Sequence, residues 1–386
     1  MSDSPLLKTL ADLVAINSVN PEWKGPGEAE VATYVQRFFE QREISVERQD
    51  VLPGRDNLLI RLPGRDRSRC VLFEAHMDTV STDNMTIEPF KPRISDGRMW
   101  GRGSCDVKAG LACMMHALAD LKENGETPPV DVLLAAVVDE EHIYRGVRSL
   151  VKSFDSKPVG AIVAEPTELR VVRANKGVMR WRIVTHGKAA HSAKPHLGAD
   201  AITAMADVVR AFADDAENLK QLSHPLVGSP SLNIGTIAGG DQVNFVPERC
   251  QIEIDRRLIP GESIDDVFEG YDRLLDTARE RHPKVRIEMV EPYTKDAAMD
   301  TPEEEYVVQS ASTELKAMNL PHEPVGVPYG CDCTKISRAG VPAVIFGPGC
   351  IDQAHTADEF IEIRQVELAR EFYRRFLSGF TGESRG

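Results

Sequence analysis

The sequence predicts an α/β protein in which a largely parallel-sheet domain is interrupted by a smaller α+β domain. Short apolar runs alternate with helical stripes up to about residue 177 and again beyond residue 292. Between residues 178 and 291, apolar and polar residues alternate singly, as in strands with one exposed face. At 386 residues the chain also exceeds one ordinary domain. We therefore expect one domain formed by residues 1–177 and 292–386, and a second by residues 178–291.

The first domain is predicted from buried strands and the helices between them. Apolar residues recur at helical spacing over about 28–41, and a second helical stripe follows Val107. Short apolar runs bounded by polar residues are typical of strands buried on both faces. The expected strands are Asn57–Leu62, Val71–Ala75, Val132–Val138, Ala161–Ala164 and, after the insertion, Ala343–Phe346.

The inserted domain is predicted from a different pattern. Arg180–Thr185, Ser231–Ile237 and Cys250–Leu258 alternate in the manner of half-exposed strands. Helices are expected near 199–213 and 264–281, where apolar residues return to helical spacing. Strands and helices that alternate in this way indicate a small α+β domain.

Composition excludes several classes of function. A net charge of −14 without a long basic run argues against nucleic-acid partners. No stretch of about 18 uncharged apolar residues occurs, so no membrane partner is expected. The N-terminus lacks a basic start and an apolar run, and seven cysteines form no dense framework. The expected compartment is the cytoplasm.

Histidines and acids cluster immediately after predicted strands. In open α/β sheets, sites form at the carboxyl ends of the strands, so this coincidence indicates a functional site. The segments concerned are Val71–Asp78, Gly101–Asp106, Val137–His142, Ile162–Thr167 and Gly347–Glu359.

Each segment taken alone has a structural alternative. His76 can bind a metal ion while Asp78 fixes its tautomer, but both could simply end a strand. Asp106 can bridge two cations or cap the helix that follows it. The Gly-x-Gly before it, Gly101 and Gly103, is weak evidence for a phosphate loop, because the full fingerprint is absent.

The acidic segments complete a set of metal ligands. Glu140 and Glu141 end a buried strand, where repelling carboxylates need compensation, although a solvated turn is the alternative. Glu165 and His355 are uninformative by themselves. Together the segments supply two histidines, three carboxylate ligands and one spare glutamate. That set suits two Zn²⁺ ions.

These motifs resemble the zinc-dependent amidohydrolases and exopeptidases of peptidase family M20, the group of acetylornithine deacetylase, succinyl-diaminopimelate desuccinylase and aminoacylase. The resemblance runs from end to end, and the motifs occur in the family's order. They are His-Met-Asp-Thr-Val, Gly-Arg-Gly-Ser-Cys-Asp-Val-Lys, Asp-Glu-Glu, Glu-Pro-Thr and Ala-His-Thr-Ala-Asp-Glu. The resemblance implies a phosphorylase/hydrolase-like catalytic domain with an inserted lid and dimerisation domain.

The resemblance also implies a set of metal ligands. His76 and Glu165 would bind one Zn²⁺ ion. Glu141 and His355 would bind the other, with Asp106 as the bridge between them. Co²⁺ or Mn²⁺ can substitute for zinc in such a centre.

Further roles follow from the same resemblance. Asp78 would orient His76, and Glu140 would act as general base. His191 of the inserted domain would reach the active site of the partner in a homodimer. Asn244 and Arg257 match positions that contact the substrate. For these two and for His191, packing and solvation are at least equally good interpretations, because lid residues also serve those purposes.

The expected reaction is cleavage of the amide bond of a small N-acyl amino acid. Leu232–Asp241 and Phe346–Glu359 look most like the acetylornithine deacetylase branch. A desuccinylase, aminoacylase or dipeptidase is the alternative within the family, and a metal-stabilised scaffold or a phosphodiesterase is the alternative outside it. Cys331 and Cys333 are an unusual pair in the family's substrate region, and we interpret them as ordinary thiols rather than as a metal or redox site.

Overall fold

The chain divides into two units in the computed structural model, which describes residues 4–383. The first unit contains the chain up to Arg173, residues 301–325 and the chain from Cys331 onward; the second contains residues 174–300 and 326–330. The second unit extends beyond residue 291 because Thr294–Asp296 pairs with the strand Gly177–His186. Within residues 4–383, every helix is too short or too polar to cross a membrane.

The elements of the chain up to residue 175 are α1 (Pro5–Ala15), α2 (Ala29–Glu40), β1 (Ser45–Leu52), β2 (Arg55–Leu62), β3 (Asp66–His76), β4 (Arg93–Ser95), β5 (Arg98–Trp100), α3 (Lys108–Glu123), β6 (Val130–Val137), α4 (Arg145–Lys152), β7 (Gly160–Val163) and β8 (Val172–Asn175).

The elements that follow, up to residue 300, are β9 (Gly177–His186), β10 (Ala190–His191), α5 (Ala201–Asn218), β11 (Ser231–Gly239), β12 (Phe245–Val246), β13 (Arg249–Leu258), α6 (Ile264–Leu274), α7 (Asp276–Arg281), β14 (Arg286–Met289), β15 (Thr294–Asp296) and β16 (Met299–Asp300). The remainder forms α8 (Tyr306–Ala317), β17 (Val325–Val327), α9 (Cys333–Arg338), β18 (Ala343–Ile345), β19 (Phe360–Glu362) and α10 (Ile363–Gly379).

The sheet of the first unit has a parallel centre. Its strands include the run β1-β2-β6-β3-β7-β18, in which β6, β3, β7 and β18 are parallel to one another. The edge strands are antiparallel, since β1 pairs with β2 and β2 with β6 in that sense. The carboxyl ends of the four parallel strands therefore meet at one edge, which is where the predicted ligands follow them.

Helices cover both faces of this sheet. Val71, Phe73 and Ala75 of β3 point into a core shared with α1, α3 and α10. Val147 and Leu150 of α4 are buried outside that core, against the opposite face, where α9 also contacts β7 and β18. Burial on both faces explains why these strands read as continuous apolar runs.

The second unit has its own core. Its strands run in the order β11-β13-β9-β14, all antiparallel, and β15 extends the β9 edge. One face packs on α5, α6 and α7 around Trp181, whose ring lies 5.2 Å from Tyr271 and 6.3 Å from Phe212. β10 and β12 form a separate two-stranded ribbon.

Candidate metal centre

Four predicted ligands or bases sit at the carboxyl ends of the parallel strands. His76 is the last residue of β3, and Glu140 and Glu141 follow β6. Glu165 follows β7. The chain passes close to Glu165 at Gly347, where an added Cβ would lie 2.5 Å from the Glu165 carbonyl oxygen, so the position has no room for a side chain. The segment after β18 continues from this close approach to His355, whose φ is +61°.

Asp106 lies between two imidazoles, one facing each carboxylate oxygen. Its Oδ1 is 3.0 Å from His76 Nε2, and its Oδ2 is 3.4 Å from His355 Nε2. His355 Nε2 is also 3.2 Å from Glu141 Oε1. Ligand atoms of His76, Asp106 and Glu141 all lie within 4.8 Å of one another. This is the arrangement that a carboxylate bridging two cations requires.

The carboxylates around Asp106 carry unfavourable charge. Burial raises the pKa of Glu140, Glu141 and Glu165, and their neighbouring carboxylates raise it further. Glu140 and Glu165 are only 8% and 5% exposed, so solvent cannot compensate them. The cluster therefore carries excess negative charge, which nearby positive charge would stabilise.

Protonation of the two histidines balances part of this negative charge. Burial opposes protonation of His76, but the contacts with Asp106 and Asp78 outweigh it and raise its pKa well above the usual range. In the same way, Asp106 and Glu141 raise the pKa of His355 to about 11 despite its burial. Burial alone would raise the pKa of Asp106, yet the bonds to both imidazoles lower it. A metal ion would replace these protons.

The donor set fits two zinc-like ions. Imidazole nitrogens and carboxylate oxygens are ordinary ligands of Zn²⁺, and the surplus of buried carboxylates supplies the charge that two dications need. His76, Asp106 and Glu141 would hold the ions. His355, next to Asp106 and Glu141, and Glu165, whose charge interacts with that of Asp106, would complete the set. Asp106 does not cap α3, since Val107 precedes that helix and no side chain caps it.

Asp78 bonds mainly to the segment that carries the two glutamates. Its Oδ1 accepts the backbone N–H of Glu140 and its Oδ2 that of Glu141, both at 3.2 Å. His76 Nδ1 lies 3.1 Å from the Asp78 backbone oxygen and 3.6 Å from its carboxylate. The main-chain carbonyl of Asp78, more than its carboxylate, thus contacts the imidazole that a metal ion would use.

Glu359 fixes the loop that presents Asp106, a role that sequence reasoning missed. Its carboxylate accepts the backbone N–H groups of Gly103 (3.1 Å), Cys105 (2.8 Å) and Asp106 (3.1 Å), and the Nη1 of Arg102 (2.7 Å). These bonds engage the loop's amides with a protein carboxylate, which argues against a phosphate loop. The only signal in the sequence was an acid at the end of the Ala-His-Thr-Ala-Asp-Glu motif.

His191 and Asn244 come together in the second unit. β10 pairs with β12 so that His191 lies opposite Phe245, and the N–H of Ser192 donates to the Asn244 carbonyl at 2.9 Å. The Nδ1 of His191 accepts the N–H of Ala193 at 3.1 Å. In the neutral imidazole the proton is therefore on Nε2.

Arg257 lies on a different part of the second unit. It is in β13, opposite Ser231 on one side and Val178 on the other. Its Nε donates to Asp255 at 2.7 Å, so its guanidinium is already paired within the unit. Any substrate carboxylate at Arg257 would share it with this aspartate.

The two thiols of the Cys-Asp-Cys segment are buried. Cys331 is 1% exposed and Cys333 is fully buried, and burial raises the pKa of both well above the usual range. Protonated thiols are poor nucleophiles and poor metal ligands. Their environment favours the interpretation as ordinary thiols.

Comparison with known proteins identifies the family. The sequence matches the profile of peptidase family M20/M25/M40 over residues 72–379. The chain belongs to this family. Acetylornithine deacetylase of Vibrio campbellii is 31% identical over 362 residues, which are 92% of each chain.

Solved structures of M20 enzymes share the fold. A tripeptidase of Staphylococcus aureus superposes with a TM-score of 0.81 at 22% identity, covering 97% of both chains. A dinuclear metal-binding M20 peptidase of Bacillus subtilis superposes with a TM-score of 0.72 at 16% identity, covering 97% of this chain and 96% of that one. The predicted fold class and the predicted family are confirmed, and this M20 protein is a metal-dependent hydrolase.

Proposed function

We propose that this M20 hydrolase removes the acetyl group of N-acetylornithine with the help of two Zn²⁺ ions. The contacts of Asp106 carry the metal part of the proposal, because its two oxygens face two different imidazoles. The identity of 31% with an acetylornithine deacetylase over 92% of the chain supports the substrate part. Desuccinylase, aminoacylase and peptidase activities are the alternatives that the experiment must separate.

The bound ions would supply Lewis acidity, lowering the pKa of a water molecule and polarising the acyl carbonyl. Glu140 is the group that moves the proton. Its carboxylate accepts a proton from the attacking water and then delivers it to the leaving amine. Burial raises the pKa of Glu140 above that of an exposed glutamate, which favours uptake of a proton.

The second unit would supply the other polar groups. His191 carries its neutral-form proton on Nε2, so it can donate to the developing oxyanion. Removing one such donor typically costs about 3–4 kcal/mol of transition-state stabilisation. Arg257 would pair with the substrate's α-carboxylate while it shares Asp255, and Asn244 would donate or accept beside His191.

The test compares two adjacent glutamates. Glu140→Gln is expected to keep both ions and lower kcat at least about 100-fold, because a base is lost but no ligand. Glu141→Gln is expected to lose metal ions, as measured by elemental analysis after dialysis. A metal-loaded Glu140→Gln protein with near-normal kcat would exclude the base assignment.

Substrate choice is measured on the zinc-loaded protein with N-acetylornithine, N-succinyl-diaminopimelate, N-acetylated neutral amino acids and a dipeptide. We expect the highest kcat/KM on N-acetylornithine and loss of activity on chelation. Chelator-sensitive activity that favours another compound would keep the metal centre and replace the substrate. Absence of hydrolysis across the panel would reject the proposed function.

We further propose that the second unit forms a homodimer through β11. Within the described chain, β11 pairs only with β13, so its outer edge is available for pairing. The second unit also exposes apolar side chains: Ile237 is 61% exposed, Val243 101% and Phe245 45%. An unprotected edge strand with exposed apolar residues favours pairing with another chain.

Two inactive variants test whether His191 acts across the dimer. Glu140→Gln and His191→Ala proteins are each expected to be inactive or strongly impaired. Co-expression at equal levels makes about half of the dimers mixed, and each mixed dimer has one intact site, so about a quarter of the wild-type activity should return. No recovery in a verified mixed dimer would show that His191 does not act in trans.

A further inference from the structure

We propose that Asn20 is a positioning residue for the general base: its side-chain amide ties the carboxylates of Asp78 and Asp139 together and so holds the backbone that presents Glu140. The inference rests on the proposed role of Glu140. Asn20 belongs to the N-terminal segment, far from every motif that the sequence offered, and it is 1% exposed.

The backbone of Asn20 is fixed next to Asp78. Its N–H donates to the carbonyl of Thr79 at 2.9 Å, and the N–H of Thr79 donates back to Ser18 at 3.1 Å. Val19 and Thr79 form a parallel bridge between these segments. The N-terminal segment thus runs alongside the chain that continues from β3 and places the Asn20 side chain beside Asp78 and Asp139.

The side-chain amide of Asn20 uses both of its hydrogens on carboxylates. Its Nδ2 donates to Asp78 Oδ2 at 2.7 Å and to Asp139 Oδ1 at 3.1 Å. Its Oδ1 accepts the N–H of Glu22 at 3.1 Å. Both aspartates are fully buried, so a neutral group with two N–H donors is what can join them without adding charge.

Each of these aspartates controls the backbone on one side of Glu140. Asp78 accepts the N–H groups of Glu140 and Glu141, one on each carboxylate oxygen. Asp139 directly precedes Glu140 and has a φ of +66°, a conformation that a non-glycine residue keeps only when its surroundings impose it. The two aspartates therefore determine together where the Glu140 side chain starts.

A second layer holds Asp139 in this conformation. Arg55 forms two bonds of 2.6 Å with Glu28 and a third of 3.2 Å with Asp139 Oδ1. Glu28 accepts the N–H of Asp139 at 3.0 Å, and Arg145 bonds to Asp139 Oδ2 at 3.1 Å. Asn20 is the member of this network that connects it to Asp78.

The experiment replaces one amide by a carboxylate of the same shape. Asn20→Asp keeps the acceptor for Glu22 but removes both donors and adds a third acid beside Asp78 and Asp139. Loss of a partner outside the metal ligands typically lowers activity about 10- to 100-fold. We expect a fall of that size in kcat per metal-loaded site, with KM within about twofold because Asn20 is 1% exposed and its amide is bonded to protein groups.

Hydrogen exchange gives a readout that does not depend on activity. The amide hydrogens of Glu140 and Glu141 should exchange at least about tenfold faster in Asn20→Asp, because their acceptor Asp78 is no longer held. Asn17→Asp is the matched control, since within residues 4–383 Asn17 uses only its oxygen, on the N–H of Val19, and aspartate keeps that acceptor. Its exchange and kcat should equal those of the wild type.

Asn20→Ser is the second variant, neutral and too short to reach both aspartates, in case Asn20→Asp does not fold. Wild-type exchange and wild-type kcat in a folded, metal-loaded Asn20 variant would overturn the proposal. So would reduced yield of loaded protein with unchanged kcat per site, which is what a merely structural role predicts. If the wild type hydrolyses no substrate, the proposed function fails while the exchange rates still decide the role of Asn20.

Discussion

Substitution of Glu359 by glutamine measures how strongly the Asp106 loop depends on one buried carboxylate. Glu359 is fully buried and receives four donors, three backbone N–H groups and the guanidinium of Arg102. Glutamine has the same shape but keeps only one oxygen. In either orientation of the amide, its NH₂ group faces hydrogen-bond donors, from which it cannot accept a hydrogen bond.

The expected cost follows from which donors lose their partner. If the oxygen stays with Cys105 and Asp106, the NH₂ group faces Gly103 and Arg102, whose side chain is 1% exposed. An uncompensated buried charge costs about 3–5 kcal/mol of stability. Burial raises the pKa of Glu359 although Arg102 favours its charged form, so the intact pair is worth less than this. The variant measures the penalty for a buried guanidinium that keeps its bonds to the Ser81 carbonyl and to Asn84 but loses its counter-charge.

The assay is urea unfolding of the metal-free protein, followed by calorimetric titration with Zn²⁺. We expect a loss of about 3–5 kcal/mol in unfolding free energy. We also expect the affinity for metal to be about 10- to 100-fold weaker, which is the usual effect of removing a residue that supports a metal ligand without binding the metal itself. Glu362→Gln is the control, because its pair with Arg98 is 45% and 39% exposed and should be worth less than about 1 kcal/mol. A cost for Glu359→Gln that equals the control's would refute the reasoning.

Two further predictions concern the same centre. The raised pKa values of His76 and His355 keep both imidazoles protonated in the metal-free protein at neutral pH, so metal binding must release these protons and the metal affinity must increase as the pH rises. Calorimetry in buffers of different ionisation enthalpy should detect about one released proton per histidine. No proton release would contradict the prediction. Gly347→Ala would place a Cβ 2.5 Å from the Glu165 carbonyl and should cost about 1–3 kcal/mol or more in unfolding free energy. Gly235→Ala, whose Cβ meets nothing nearer than 3.8 Å, is the control, and equal costs would contradict the steric argument.

The sequence predicted the parts of the fold that depend on local pattern. Continuous apolar runs identified the parallel strands, and the rule that sites form at their carboxyl ends predicted that His76, Glu141 and Glu165 share one edge of the sheet. The family resemblance then ordered these residues into a centre. The addition of β15 to the second unit was missed because a three-residue strand has no periodicity to detect.

The network around the ligands could not be predicted in the same way. Asn20 and Asp139 are separated by 119 residues, and Glu359 and Asp106 by 253. Nothing in the spacing of an asparagine or a glutamate indicates which distant backbone amide it will meet. Such residues become visible only when the fold brings their segments together.

The anchoring contacts have a common consequence for the metal-free protein. Asp78 holds the Glu140–Glu141 backbone, Glu359 holds the Asp106 loop, and the close approach at Gly347 fixes the chain that leads to His355. Each of these contacts joins one protein group to another. The segments that carry the ligands are therefore positioned by the protein, and bound ions would mainly cancel the repulsion among carboxylates that this positioning brings together.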